Sequence, residues 1–128
     1  MIGILVVTHG TLAQALVKTA ELIIGKQKKV RAVVIKRFEG LEDLEKKIAG
    51  EVASLNTGRG VLVLTDMSGG STCLVSLALA KKYSLAVVTG VNLPMLLEAV
   101  LHRDRHALKE LAGLVVAKGR QSIEEKKG

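Results

Sequence analysis

Ile2-Gly3-Ile4-Leu5-Val6-Val7-Thr8-His9-Gly10-Thr11 passes from an unbroken aliphatic run into a polar turn. A strand that is apolar at every position, not only at alternate ones, is buried on both faces, as in a parallel sheet covered by helices. The turn after it then exposes the His9 imidazole at the rim of an open sheet. Val61-Leu62-Val63-Leu64-Thr65 repeats the pattern and leads into Asp66-Met67-Ser68-Gly69-Gly70-Ser71. With these two strands parallel and adjacent, His9, Asp66 and a glycine-rich turn converge on one edge.

Working outward, strand and helix patterns alternate with short connections, which gives an α/β domain with a parallel sheet. Leu12, Leu16, Ala20 and Ile23 recur at helical spacing up to Gly25, and Thr11 with Gln14 has the form of a capping box. Val30 to Ile35 reads as a second strand, and Leu41, Leu44, Ile48, Val52 and Leu55 as the buried face of a second helix. Ser71 is the expected N-cap of a third helix through Leu74, Leu77 and Ala78 to about Tyr83. Leu85 to Val91 gives a fourth strand, and Pro94 opens the next helix in a first turn where its missing N–H is not needed. Asp104 is the expected cap of a last helix from about Arg105 to Ala117. The tail from Lys118 to Gly128 is compatible with helix, extended chain, or a strand exchanged with another subunit.

At 128 residues the chain fits a single domain, 1–128, and can bury a substantial core. No apolar run approaches the roughly 20 residues of a spanning helix, so no membrane insertion is expected. The chain enters its first strand without a basic leader, and Cys73 is the only cysteine. Both features agree with a cytoplasmic protein. The net charge of +7 attracts anions, acidic proteins and nucleic acid alike. The basic residues fall in short pairs (Lys28-Lys29, Lys36-Arg37, Lys81-Lys82, Lys126-Lys127), which read first as solvated faces and second as docking points for acidic partners. Only Phe38 and Tyr83 are aromatic, so base stacking has little to work with and no nucleic acid partner is expected.

The segment Asp66 to Ser71 has the makings of an anion cradle, because Gly69 and Gly70 let backbone amides approach closely while the next helix aims its N-terminus at the bound charge. It lacks the Gly-Lys-Ser/Thr ending of a nucleotide-binding loop. A neutral imidazole attacks a phosphoryl group when one ring nitrogen holds the proton and the other presents its lone pair. Asp66 supplies that orientation, as carboxylates do in hydrolytic triads, while Ser71 and the Gly69-Gly70 amides hold phosphoryl oxygens. Such transfer needs alignment and charge stabilisation, so neither a metal nor another cofactor is expected.

Val7-Thr8-His9-Gly10, the spacing to Glu21 and Gly25, Asp66-x-x-Gly69-Gly70-Ser71 and Gly90-Val91-Asn92-Leu93-Pro94-Met95-Leu96 together resemble the enzyme IIA domain of the mannose-type (mannose/fructose/sorbose) sugar phosphotransferase system. The likeness spans nearly the whole chain. It implies a three-layer open sheet of four parallel strands in the order 2-1-3-4, with helices on both faces. It further implies that His9 takes phosphate from the phosphocarrier protein HPr and passes it to a IIB component, with Asp66 and Ser71 in support. A homodimer is implied as well, with a fifth, antiparallel edge strand exchanged between subunits. The family pattern carries an aromatic residue and a proline around the glycine pair, where this chain has Met67-Ser68 and Thr72-Cys73-Leu74. With no IIB domain after Gly128, the expected acceptor is a separate protein, or the domain reports its phosphorylation state to a regulator.

Competing readings attach to the same residues. An anion- or nucleic-acid-binding module would use the glycine-rich loop and the basic surface without a covalent intermediate. A hydrolase acting through His9 would have only Asp66 to activate water. Cys73, near the start of a helix, is read as a buried small residue before a thiol nucleophile. His102 and His106 stand four apart, but a helix break between them and two adjacent arginines favour a solvated connection over a metal pair. Asn92 is expected to cap its helix or to border the cleft.

Overall fold

The computed structural model describes residues 1–128. Its elements run β1 (Gly3–His9), α1 (Leu12–Ile24), β2 (Val30–Ile35), α2 (Leu41–Leu55), β3 (Val61–Thr65), α3 (Ser71–Leu79), β4 (Leu85–Val88), α4 (Leu93–His102) and α5 (Leu108–Gln121). The strands form one sheet in the order β2-β1-β3-β4, every pair parallel. Alternate residues of the central strands feed two cores. Ile2, Ile4 and Val6 of β1 join Leu62 and Leu64 of β3 beneath α1, α4 and α5. Leu5 and Val7 join Val61 and Val63 on the other face, beneath α2 and α3. Each fully buried aliphatic side chain contributes roughly 1.5–3 kcal/mol over its exposed state, so β1, buried from Gly3 to Thr8, anchors both layers.

The three-layer architecture and strand order agree with the expectation from sequence; several element details differ. The buried stripe of α1 is Ala13, Leu16, Val17, Ala20 and Ile24, whereas Leu12 and Ile23 face solvent. Leu41 is likewise exposed. In α3, apolar on nearly all sides, Leu74 and Leu77 point outward and Thr72, Cys73, Val75, Ser76 and Leu79 point in. Thr11 makes no side-chain cap to α1; the buried Thr8 hydroxyl accepts the Ala13 amide at 2.7 Å instead. Ser71 is the first residue of α3, preceded by Gly70 at the cap, and the helix stops at Leu79, short of Tyr83. The fourth strand ends at Val88, where the chain turns so that the Val91 amide reaches Thr65 O. Asn92 does cap α4, accepting from the Met95 amide. The last helix starts at Leu108, after Ala107 and not Asp104, and absorbs the tail as far as Gln121. Residues 123–128 have no regular structure, so the sheet of the single chain has four strands.

At the edge where the strands begin, Arg103 is buried and donates to Ile2 O, Lys29 O and Lys28 O, joining the end of α4 to the starts of β1 and β2. Burial lowers its pKa while Asp104 opposes the shift. A guanidinium nevertheless stays charged at physiological pH. Gly3 lies so close to α2 that an added Cβ would stand 2.7 Å from Leu55 O and 2.8 Å from Leu55 Cβ. Gly50, mid-α2, faces open space. Gly3→Ala is therefore expected to destabilise by about 1–3 kcal/mol. Gly50→Ala should stabilise by about 0.5–1 kcal/mol. Urea midpoints of the two variants, moving in opposite directions, check this difference.

Candidate active site

β1 and β3 pair with Val7 opposite Thr65, so the residues just beyond, His9 and Asp66, leave the sheet side by side. The His9 amide donates to Asp66 Oδ2 at 2.9 Å and the ring Nδ1 lies 2.7 Å from the same oxygen. Asp66 Oδ1 accepts the Met67 amide at 3.0 Å and the Thr72 hydroxyl at 3.3 Å. Burial pushes the Asp66 carboxyl pKa up, but the His9 amide, the His9 ring and the Met67 amide outweigh it and hold the pKa below the ordinary 3.8. An ionised carboxylate only accepts hydrogen bonds. The proton therefore sits on Nδ1, and Nε2, with no partner in the protein, presents its lone pair to solvent.

The glycine-rich turn closes over the other side of the ring. Gly69 has φ +81°, a left-handed conformation that suits glycine. A Cβ on Gly70 would lie 3.3 Å from His9 Cε1 and 3.4 Å from Met67 Cγ, so the loop rests on the imidazole. Because Gly70 occupies the cap position, no side chain fills the N-terminus of α3. Its first N–H groups and the Ser71 hydroxyl remain available for an anion beside the ring. The five residues singled out from the sequence, His9, Asp66, Gly69, Gly70 and Ser71, thus lie together. Thr72 and the Met67 amide, which complete the carboxylate's bonding, were not singled out; a hydroxyl six residues after Asp66, at the start of a helix, was the available signal.

The His9 side chain is half exposed. Leu12, Met67 and Phe38 expose apolar side chains on the loops and helix starts that follow β1, β3 and β2. Phe38, 91% exposed at φ +65°, stacks under the Arg37 guanidinium. Cavities of about 380, 430 and 220 Å³ lie elsewhere, and none is lined by His9 or by residues 66–71. His102 and His106 lie at and beyond the far end of α4, 3.7 Å from Glu98 and 3.9 Å from Glu110 respectively. Cys73 is buried.

The family EIIA-man, described as PTS system fructose IIA component, matches residues 3–116. The chain is 38% identical over 124 residues to the PTS system mannose-specific EIIAB component of Escherichia coli (strain K12), covering 95% of this chain and 38% of that protein. It therefore spans well under half the length of that relative. It is 30% identical to the PTS system fructose-specific EIIA component of Bacillus subtilis (strain 168), covering 97% of this chain and 86% of that one. Its fold superposes with a TM-score of 0.90 on the phosphotransferase system component EIIA from Streptococcus agalactiae, at 32% identity, covering 98% of this chain and 97% of that chain.

A carboxyl pKa lowered by folding stabilises the protein above the unfolded value of 3.8, and this contribution is lost as pH falls through the lowered pKa. The stability advantage of the wild type over Asp66→Asn is thus expected to narrow below about pH 4. Urea unfolding of both proteins at steps from pH 6 to pH 2.5 measures it; a gap that stays constant contradicts the assignment.

Proposed function

The chain belongs to the EIIA-man family of phosphotransferase-system IIA components, and from that premise we propose that it is a phosphocarrier in which His9 Nε2 accepts a phosphoryl group from HPr and delivers it to a IIB component, serving sugar uptake or its regulation. The observation that carries this reading is the state of the ring. Nδ1 is engaged by Asp66 and Nε2 is free on an open rim. Small-molecule sites are concave, whereas a phosphoryl group handed between two proteins needs an accessible nucleophile on a surface that a partner can cover. The exposed Leu12, Met67 and Phe38 offer such a surface.

In the transfer, a bond forms between Nε2 and phosphorus as the donor's N–P bond breaks, and Nδ1 keeps its proton throughout. The imidazole gains positive character as the new bond forms, and the Asp66 carboxylate, already ionised and 2.7 Å away, stabilises it without reorganising. The phosphoryl oxygens meet the unfilled N-terminus of α3, the Ser71 hydroxyl and the Gly69-Gly70 backbone. The N–P bond keeps the product reactive, and with both Asp66 oxygens already engaged there is no free base to direct water at phosphorus before the group is passed on.

Residues 1–128 act as one IIA unit in the cytoplasm; no helix is long and apolar enough to cross a membrane. The unit works as a homodimer. β4 is an outer strand, and Ile123 of the tail, 80% exposed, lies beside the Val87-Val88 end of it, so a tail exchanged from a second copy would extend the sheet there.

Incubation with phosphoenolpyruvate, the first enzyme of the system and HPr should yield an acid-labile, base-stable phosphoprotein with phosphorus on Nε2, identified by ³¹P and ¹⁵N NMR. His9→Ala is expected to abolish labelling and His102→Ala and His106→Ala to leave it intact. Labelling that survives His9→Ala, or a wild type that takes no label, overturns the proposal. For the dimer, sedimentation equilibrium should give twice the chain mass, and removal of residues 122–128 should give the monomer.

A further inference from the structure

Thr72 is the second residue of α3 and lies beneath the rim, its side chain wholly buried. Its hydroxyl makes one hydrogen bond, to Asp66 Oδ1 at 3.3 Å. The two carboxylate oxygens face different neighbours. Oδ2 takes both bonds from His9, while Oδ1 takes the Met67 amide and Thr72. The Met67 bond is local, closing back from the next residue, and moves with Asp66. The Thr72 bond is the one that reaches from the carboxylate to the helix whose first N–H groups face the phosphoryl position. At 3.3 Å it is longer than the ordinary O–H···O range, so its effect lies in orientation more than in energy.

Resting on the reading of His9 as phosphoryl acceptor, we propose that Thr72 is a positioning residue of the transfer site, holding the Asp66 carboxylate, and through it the imidazole, in register with the N-terminus of α3. Thr72 touches neither phosphoryl group nor ring. It acts because, without it, Oδ1 keeps only the local Met67 amide and the carboxylate loses its one tie to α3, so the plane of the carboxylate, and the ring bonded to it, is less firmly set relative to that helix. Small misplacements of a nucleophile slow transfer disproportionately. The arrangement also makes the cradle and the nucleophile one unit, since both depend on the first turn of α3.

Valine at position 72 keeps the branched shape and removes the hydroxyl; serine keeps the hydroxyl. Side-chain ¹³C and ring ¹⁵N NMR of the purified chain, which needs no partner protein, reads the Asp66 carboxyl titration and the His9 tautomer directly. Thr72→Val is expected to raise the Asp66 titration midpoint and to increase the fraction of neutral His9 carrying its proton on Nε2, and Thr72→Ser to restore both. In an Asp66→Asn background, Thr72→Val should leave the His9 ring shifts unchanged, because its influence runs through the carboxylate. Phosphoryl acceptance from HPr at pH 7 should fall by about two- to tenfold in Thr72→Val, the loss that a small misplacement of the nucleophile brings, and recover in Thr72→Ser. An unchanged titration and tautomer in folded Thr72→Val, or an equal response in the Asp66→Asn background, overturns the proposal. A wild type that takes no phosphoryl group would instead overturn the function of His9, while the NMR measurements still decide whether Thr72 governs the Asp66–His9 pair.

Discussion

The register between β1 and β3 is the constraint on which the rest of the molecule depends. Val7 lies opposite Thr65, and two residues further on one strand and one on the other stand an imidazole and a carboxylate. A slip of one position would turn the slipped strand's side chains to the opposite face and send His9 and Asp66 apart. The slip is prevented from below, because Ile4, Val6, Leu62 and Leu64 fill one core while Leu5, Val7, Val61 and Val63 fill the other. Packing in the two cores away from the rim therefore fixes a 2.7 Å contact between a half-exposed imidazole and a largely shielded carboxylate.

That contact decides the chemistry available. Because Asp66 Oδ2 receives both the backbone amide and the ring of His9, the residue is held at two points, and the ring's tautomer follows from the ionised state of the acceptor. Thr8 adds a second constraint from the opposite side. Its buried hydroxyl accepts from the Ala13 amide at the start of α1 and also donates to His9 O, so the residue before His9 ties strand, turn and helix together. The ring ends up with one nitrogen committed and the other free, beside the N-terminus of α3, whose dipole favours negative charge.

The sheet and the convergence of His9 with Asp66 are legible in the sequence because they follow from strong signals: aliphatic runs without alternation, and turns rich in glycine. The helix faces are less legible. α3 carries apolar residues on almost every side, so no stripe distinguishes the inward Val75 and Leu79 from the outward Leu74 and Leu77. The capping box expected from Thr11 and Gln14 does not form at the start of α1. Thr8 serves because it is the last buried residue of β1 and its hydroxyl reaches forward five residues, whereas Thr11 has a backbone conformation outside the extended cap geometry. The cap of α3 fell to Gly70 and not to Ser71, a difference of one residue that leaves the helix end unfilled and the serine hydroxyl free. The part Thr72 plays is not legible in the sequence, since a threonine in a first helical turn is ordinary until its partner in space is known.

Arg103 sits at the far end of the sheet, gripping three carbonyls where β1 and β2 begin. With its fastening there and its two cores in the middle, the molecule carries little of its cohesion in the turns around His9. The exposed side chains of those turns, Leu12, Phe38 and Met67 among them, can accordingly be exchanged without loosening the frame. A different surface can be laid around His9 while the sheet that aims its imidazole stays as it is.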